Sequence, residues 1–248
     1  MEDIGFWIAA TLAAICVGLG KGGVPVITAM AVPLLALVTS PVAAAGILLP
    51  VFVASDIFGL YAYWRSFHRA VLAIMLVALP LGTLIGWLTV DYVSEAAVTL
   101  IVGLIGGVYA LTLLIRRNLE GPARKPRWGP GLFWGTITGF TSFVSHSGAA
   151  PFQIFALPLR MPKLMFAGTV TVAFAYVNVI KLIPYYFLGQ LNPGNLQIAA
   201  ILALPAICAV FAGVWLVRIL PEKLFFQAVV WALLLLSIRL IWGGLSGL

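Results

Sequence analysis

The stretch Gly20-Lys21-Gly22-Gly23-Val24-Pro25 interrupts an apolar run that begins at residue 4. A second interruption, His146-Ser147-Gly148-Ala149-Ala150-Pro151, lies at the corresponding place in the second half of the chain. Each combines polar residues with glycine and is followed by a proline that can open a new helix. Irregular backbone persists at membrane depth only where protein buries it or where it lines a cavity. The paired interruptions therefore predict the binding site of a membrane transporter.

The composition predicts a polytopic membrane protein. Of the 248 residues, 63% are hydrophobic and 8% are charged, whereas soluble domains carry about 25% charged residues. The net charge of +7 comes from basic residues in short loops, which indicates a topology signal and not a nucleic-acid partner. Cys16 and Cys208 lie in apolar runs and no zinc-ligand spacing is found, so neither a metal nor another cofactor is expected. The N-terminus lacks the basic segment of a signal peptide, so the first apolar segment is expected to be retained.

The apolar segments predict an all-α fold, because the longer ones have the length of a membrane-spanning helix. On either side of a polar linker at 116–128, the segments are 4–20, 24–38, 42–64, 70–89 and 96–115, then 130–145, 149–159, 164–188, 196–217 and 223–245. The two halves match at several positions: Pro41 with Pro162, Gly46 with Gly168, Asp56 with Asn178, and Leu79-Pro80 with Leu204-Pro205. We therefore predict two membrane repeats, 1–115 and 129–248, each a helix hairpin followed by three transmembrane helices.

Basic residues predict the orientation in the membrane. Of the 14 lysines and arginines, all but Lys21, Lys181 and Arg239 fall in the loops or linkers 65–69, 116–128, 160–163 and 218–223, which we place in the cytoplasm. The 90–95 and 189–195 loops carry no basic residue and are expected outside. Each half then crosses three times, so the repeats are inverted and the protein is expected in the inner (cytoplasmic) membrane, with the central linker cytoplasmic. Tyr63-Trp64 is among the aromatic residues that mark inner helix ends.

One structural alternative stays open for both hairpins. The segment 4–20 would extend about 25 Å as a helix, which is most of a membrane crossing. One broken span in each half would then replace each re-entrant hairpin, without changing the place of the two interruptions.

The interruptions have the chemistry of an anion site. A helix that starts inside the membrane presents unpaired backbone N–H groups and a partial positive charge. Lysine adds a full charge, serine adds hydroxyl donors, and histidine adds a donor that titrates. The predicted substrate-binding residues are Lys21, Gly22, Gly23, Ser145, His146, Ser147, Gly148, Gln153, Asn178 and Lys181. The alternatives are glycines that only pack helices, a Lys21 that snorkels, a structural histidine, and serines that only cap the next helix.

Asp56 is an ionisable residue inside a predicted span, and such residues are functional hypotheses by default. Lys181 follows Asn178 by one helical turn, on the same face. Asp56 is expected to form an ion pair with Lys21 or with Lys181, and a structural and a functional role of that pair stay equally open. Proton coupling through Asp56 or His146 is a further hypothesis.

The sequence resembles the TauE/SafE family of sulfite and organosulfonate exporters over nearly its whole length. The resemblance rests on Gly18-Leu-Gly-Lys-Gly-Gly with Pro33, Pro41 and Gly46, and on Gly139-Phe-Thr-Ser with Gly148, Pro158, Pro162 and Gly168-Thr169. The family's usual break is a run of glycines, from which this chain departs by Lys21 and by Ser145-His146-Ser147. The resemblance implies a membrane transporter that exports a small sulfur-containing oxyanion, such as sulfite or sulfoacetate, by alternating access.

Direction and rival functions follow from simple energetics. The interior-negative potential is worth about 2.3 kcal/mol per charge per 100 mV, which favours export of an anion.

The alternatives are an anion channel and a transporter or importer of another small anion, such as a carboxylate or thiosulfate. An enzyme is not expected, because no carboxylate pair or metal set accompanies the two serines and the histidine. A structural scaffold would not keep costly intramembrane charges. No feature of the sequence sets the oligomeric state.

Overall fold

The structure, a computed structural model, describes residues 3–115 and 123–247. These residues are helical, without a strand, which confirms the predicted all-α class. The helices are α1 (Ile4–Lys21), α2 (Pro25–Thr28), α3 (Ala31–Leu35), α4 (Pro41–Tyr63), α5 (Arg69–Thr89), α6 (Glu95–Ile115), α7 (Trp128–Val144), α8 (Ala149–Ala156), a 3₁₀ helix (Leu157–Leu159), α9 (Lys163–Phe187), α10 (Pro193–Ile219) and α11 (Glu222–Ser246). In the predicted cytoplasmic linker, Arg116 and Arg117 lie outside the described residues, and Arg124, Lys125 and Arg127 are exposed.

Seven of the described helices are long and apolar enough to cross a membrane: α1, α4, α5, α6, α9, α10 and α11. They coincide with predicted segments to within a few residues. The segment 24–38 differs, because the structure divides it into α2 and α3. Pro33 explains the division, since a proline blocks a helix from continuing back through the preceding turn but is tolerated in a first turn.

Each long helix that precedes an interruption packs against the short helices that follow it. In the second half, Gly148 lies against Ser142 near the end of α7, and the Phe155 ring reaches Gly131 near its beginning. In the first half, Thr28 of α2 lies against Gly20, and α3 also packs on α1. Both arms therefore fold back as hairpins, which a straight broken span would not do.

The described helices form two compact units. Unit 1 comprises Met1–Phe67 and Ala167–Leu220. Its core joins an alanine-rich stripe of α1 to α3, α4 and α10. Small residues let α1 and α10 approach closely, because a Cβ on Gly18 or on Gly22 would overlap the backbone of α10.

Unit 2 comprises His68–Phe166 and Pro221–Leu248. Here α7 packs against α5, and a Cβ on Gly139 would overlap the Leu79 carbonyl. Helices α6 and α11 form a second pair, in which Gly103 and Gly244 allow close approach.

The strongest helix pairs in the two units include pairs between the two halves of the chain. The first helix of one half packs against a late helix of the other half in both units, α1 against α10 and α7 against α5. The matched Pro80 and Pro205 lie inside α5 and α10. Each compact unit thus draws helices from both halves. The division into repeats 1–115 and 129–248, and their inversion, stay predictions.

Candidate functional site

Helix α1 ends at Lys21, and the chain then turns through Gly22 and Gly23. Gly23 has a φ of +113°, a conformation that residues with a side chain rarely adopt. The Tyr63 hydroxyl donates to the Gly22 carbonyl at 2.6 Å, and a Cβ on Gly23 would meet that hydroxyl. The two glycines are therefore required by the shape of the turn, which α4 holds in place through Tyr63.

The Lys21 side chain is buried, with 4% of its surface exposed. Its Nζ lies 2.6 Å from Asp56 Oδ1 on α4 and 5.4 Å from the centre of the Phe52 ring. The C-terminal end of a helix favours a cation, so α1 itself also stabilises the lysine charge. The Thr171 hydroxyl of α9 donates to the Lys21 carbonyl at 3.2 Å. The predicted ion pair of Asp56 is thus made with Lys21.

Helix α9 completes this cluster from the other side of the carboxylate. Asn178 Nδ2 donates to Asp56 Oδ2 at 2.8 Å. Lys181, one turn further along α9, is 1% exposed and lies close enough to Lys21 and Asp56 to interact electrostatically with both. We call Lys21, Asp56, Asn178 and Lys181 the charge cluster.

The charge cluster carries more positive than negative charge. Among the described side chains, Asp56 is the only buried acid, whereas Lys21 and Lys181 are both buried. Two ammonium groups and one carboxylate give a formal charge of +1. Buried charge is costly in a low dielectric unless opposite charge and hydrogen bonds compensate it. In the ordinary ionised forms of these groups, only one of the two ammonium charges is balanced by a carboxylate within the cluster.

The second interruption follows the end of α7 at Val144. The backbone N–H groups of Ser145 and Ser147 both donate to the Thr141 carbonyl, at 3.1 and 3.2 Å. His146 between them has a φ of +51°, a left-handed conformation that is uncommon for a residue with a side chain. The chain thus folds tightly over the end of α7, with the half-buried His146 at the tip.

Polar groups gather at this tip. The Ser145 and Ser147 hydroxyls lie 2.6 Å apart, and Ser145 Oγ also donates to the Thr141 carbonyl at 3.3 Å. Gly148 precedes α8, and a Cβ there would press against Thr138 and Ser142 of α7. Gln153 lies in the second turn of α8 and is 1% exposed. We call Ser145, His146, Ser147, Gly148 and Gln153 the second tip.

The structure thus collects the predicted site residues into two groups. Unit 1 holds Lys21, Gly22, Gly23, Asp56, Asn178 and Lys181, and unit 2 holds the second tip. Helix α2 has only four residues, so its dipole is small and Lys21 is the principal positive feature of the first interruption.

Three residues near the charge cluster were not singled out from the sequence as site residues. The sequence predicts Tyr63 only as an aromatic residue at an inner helix end, but its side chain is buried and its hydroxyl donates to the Gly22 carbonyl. Phe52 is one apolar residue among many in α4. Ser55 is fully buried, and its hydroxyl has no hydrogen-bond partner among the described residues. Of the three, only Ser55 could have been predicted from the sequence, because it is a polar residue next to Asp56 in an otherwise apolar helix.

No three histidine, cysteine, aspartate or glutamate side chains come together as a potential metal site within the described ranges. Long apolar helices with ionisable groups buried inside the protein define an integral membrane protein of the transporter class. The family model described as sulfite exporter TauE/SafE matches residues 5–240. The chain therefore belongs to the TauE/SafE sulfite exporter family, a family of membrane transporters and not of enzymes. No curated protein and no solved structure matches the chain significantly.

Proposed function

We propose that the protein exports a small sulfur-containing oxyanion, such as sulfite or sulfoacetate, by alternating access. One observation carries the proposal: two buried lysines lie near a single buried carboxylate, Asp56, which forms an ion pair with Lys21. A small anion that reaches the cluster would neutralise its excess charge. Membership of the sulfite exporter family supports sulfur oxyanions within the wider class of small anions.

Each member of the charge cluster has a proposed role. Lys21 and Lys181 supply the charge that attracts the anion. Asn178 Nδ2, which now donates to Asp56, is a donor that an anion can share. While no substrate is bound, Asp56 forms an ion pair with Lys21. This ion pair breaks when the anion binds Lys21. Gly22 and Gly23 allow close approach to the backbone because they carry no side chain.

The second tip is proposed as the other anion-handling element. Ser145, Ser147 and His146 supply hydrogen-bond donors, and Gly148 leads into the N-terminus of α8, whose dipole favours an anion.

Export is the proposed direction. An interior-negative potential drives a monoanion outward by about 2.3 kcal/mol per 100 mV, and a dianion by about twice that. Export therefore needs no coupled ion. Protonation of Asp56 or His146 is proposed as an additional coupling step, which would make the flux depend on the proton gradient at fixed voltage. The proposed location is the inner membrane, with the central linker in the cytoplasm.

Counterflow in vesicles tests the proposed function. Purified protein in vesicles loaded with unlabelled sulfite is expected to accelerate the entry of labelled sulfite, which a simple pore does not do. Lys21→Ala is expected to abolish this counterflow. Lys223→Ala, which removes an exposed lysine at the start of α11, is expected to retain it.

Two results would contradict the proposal in different ways. Flux that neither saturates nor shows counterflow would identify an anion channel. Counterflow with lactate or thiosulfate but not with sulfite or sulfoacetate would keep the transporter and replace its substrate.

A further inference from the structure

Gln153 is buried in α8, yet its side-chain amide makes no hydrogen bond. Within the described part of the chain, neither Nε2 nor Oε1 has a partner, and no other buried side chain has two such atoms. Nearby hydroxyls differ: Thr138 and Thr141 donate to carbonyls of α7, and Ser145 and Ser147 pair with each other. A buried amide without partners is costly. This cost indicates that the amide has a ligand to bind.

From the geometry of an α-helix, the Gln153 amide is expected towards the start of α8. Long side chains in a helix point back towards its N-terminus, and Gln153 lies one turn after Ala149 on the same face. At this end of α8, Gly148 and Ala149 donate no backbone hydrogen bond to any described residue. The amide is therefore expected at the same end of α8 as these two backbone N–H groups.

The Gln153 carboxamide needs both a hydrogen-bond acceptor and a hydrogen-bond donor from its ligand. Its nitrogen donates hydrogen bonds and its oxygen accepts them. An oxyanion without a proton only accepts, so it can satisfy Nε2 and the backbone N–H groups but not Oε1. A ligand that carries a hydroxyl group beside its anionic oxygens can satisfy both ends of the amide and keeps its net negative charge.

We propose that Gln153 is a specificity-determining residue that selects organosulfonates bearing a hydroxyl group. The proposal rests on the proposed function and narrows its substrate class. The sulfonate oxygens accept from the backbone N–H groups and Nε2, while the substituent donates to Oε1. The choice between substituted and unsubstituted sulfonates then depends on a single acceptor atom.

Two sulfonates of equal charge test this proposal directly. Ethanesulfonate and 2-hydroxyethanesulfonate differ by one hydroxyl group. Binding to the purified full-length protein is expected to be roughly tenfold or more tighter for the hydroxy compound, since sites built to bond a hydroxyl discriminate against analogues that lack it. In Gln153→Met, which keeps the unbranched shape and removes both polar atoms, the ratio of affinities is expected to fall to about one.

Two controls separate specificity from folding. Thr83→Val removes another buried hydroxyl without a hydrogen-bond partner, in α5 of the same unit, and is expected to leave the ratio unchanged. The melting temperature of Gln153→Met is expected to equal or exceed that of the unmodified protein, because no hydrogen bond within the protein is lost. A lower melting temperature with an unchanged affinity ratio would assign Gln153 a structural role and overturn the proposal.

The remaining outcomes are also decisive. Equal affinity for the two sulfonates, or a preference that survives in Gln153→Met, overturns the role of Gln153 and leaves the proposed export function standing. Binding of sulfite without binding of either sulfonate does the same. Failure of sulfite, sulfoacetate and both sulfonates to bind contradicts the proposed function itself.

Discussion

Two demands compete at the Lys21 ammonium. Its burial requires a counter-charge, which Asp56 supplies at 2.6 Å, whereas a transported anion requires the same ammonium to be accessible. In the proposed mechanism, Lys181 keeps positive charge near Asp56 when an anion binds Lys21 in its place. Asp56 then competes with the substrate for the Lys21 ammonium, so removal of the carboxylate is expected to change the affinity for the anion.

Asp56→Asn is expected to increase the affinity for sulfite by about tenfold, equivalent to about 1.4 kcal/mol, because two lysines then face the anion without a competing carboxylate. Export is expected to slow, since the anion leaves a more positive site less readily. Equilibrium binding and vesicle flux measure the two effects. The matched control is Asp91→Asn, a change at an exposed residue between α5 and α6. Unchanged affinity for sulfite in Asp56→Asn would show that the ion pair between Lys21 and Asp56 has only a structural role.

At this scale the sequence predicted all four members of the charge cluster but not which lysine pairs with Asp56. Asp56, Asn178 and Lys181 stood out because polar residues are costly in apolar spans. The choice between Lys21 and Lys181 as ion-pair partner depends on how α1, α4 and α9 pack, which spacing along the chain does not encode. The hydrogen bond from the Tyr63 hydroxyl to the Gly22 carbonyl could not be predicted for the same reason.

At the scale of helices, glycines set how closely the elements that hold the site approach one another. Gly18 and Gly22 bring α1 against α10, and Gly139 brings α7 against the backbone of α5. These contacts fix the long helix that leads into each interruption. Packing between helices in a membrane depends on such close approach, because lipid competes equally for apolar side chains.

Gly139→Ala is expected to destabilise the protein by roughly 1–3 kcal/mol, because the added methyl overlaps the Leu79 carbonyl and forces the helices apart. Gly243→Ala is the matched control in α11, where a Cβ meets nothing within 4 Å. There alanine is expected to be neutral or slightly stabilising, since it favours helix more than glycine does. Thermal unfolding in detergent compares the two variants. Equal melting temperatures would refute the close-packing account.

Segment positions were well predicted because apolar length is a strong signal in a membrane protein. The short arms were less so. The predicted arm 149–159 appears as α8 with a terminal 3₁₀ turn, whereas 24–38 divides at a proline that hydropathy alone treats as part of the run. The backward folding of both arms depends on contacts with α1 and α7, and sequence left it as one of two alternatives.

At the scale of the whole molecule, the two halves of the chain share two compact units. The repeated order of elements and the pairing of α1 with α10 and of α7 with α5 support the predicted repeats. Their inversion depends on orientation in the membrane, for which the evidence is the distribution of lysine and arginine.

Cysteine labelling in intact cells tests the orientation. After replacement of Cys16 and Cys208, Tyr92→Cys in the loop after α5 is expected to react with an impermeant thiol reagent from outside. Lys125→Cys in the central linker is expected to react only after the membrane is opened. Both residues are exposed in the structure, so access is decided by the membrane. Labelling of Lys125→Cys in intact cells would reverse the assigned topology.

The most direct test of the charge cluster as an anion site is thermal stabilisation of the purified protein by a panel of anions. The panel comprises sulfite, sulfoacetate, thiosulfate, sulfate, phosphate and lactate. A ligand that binds only the folded state stabilises it, by about 2.7 kcal/mol at a concentration one hundred times its Kd. We expect sulfite or sulfoacetate to raise the melting temperature, and Lys21→Ala to abolish the shift while still folding. An equal shift in Lys21→Ala would contradict the assignment of the anion site to the buried lysines.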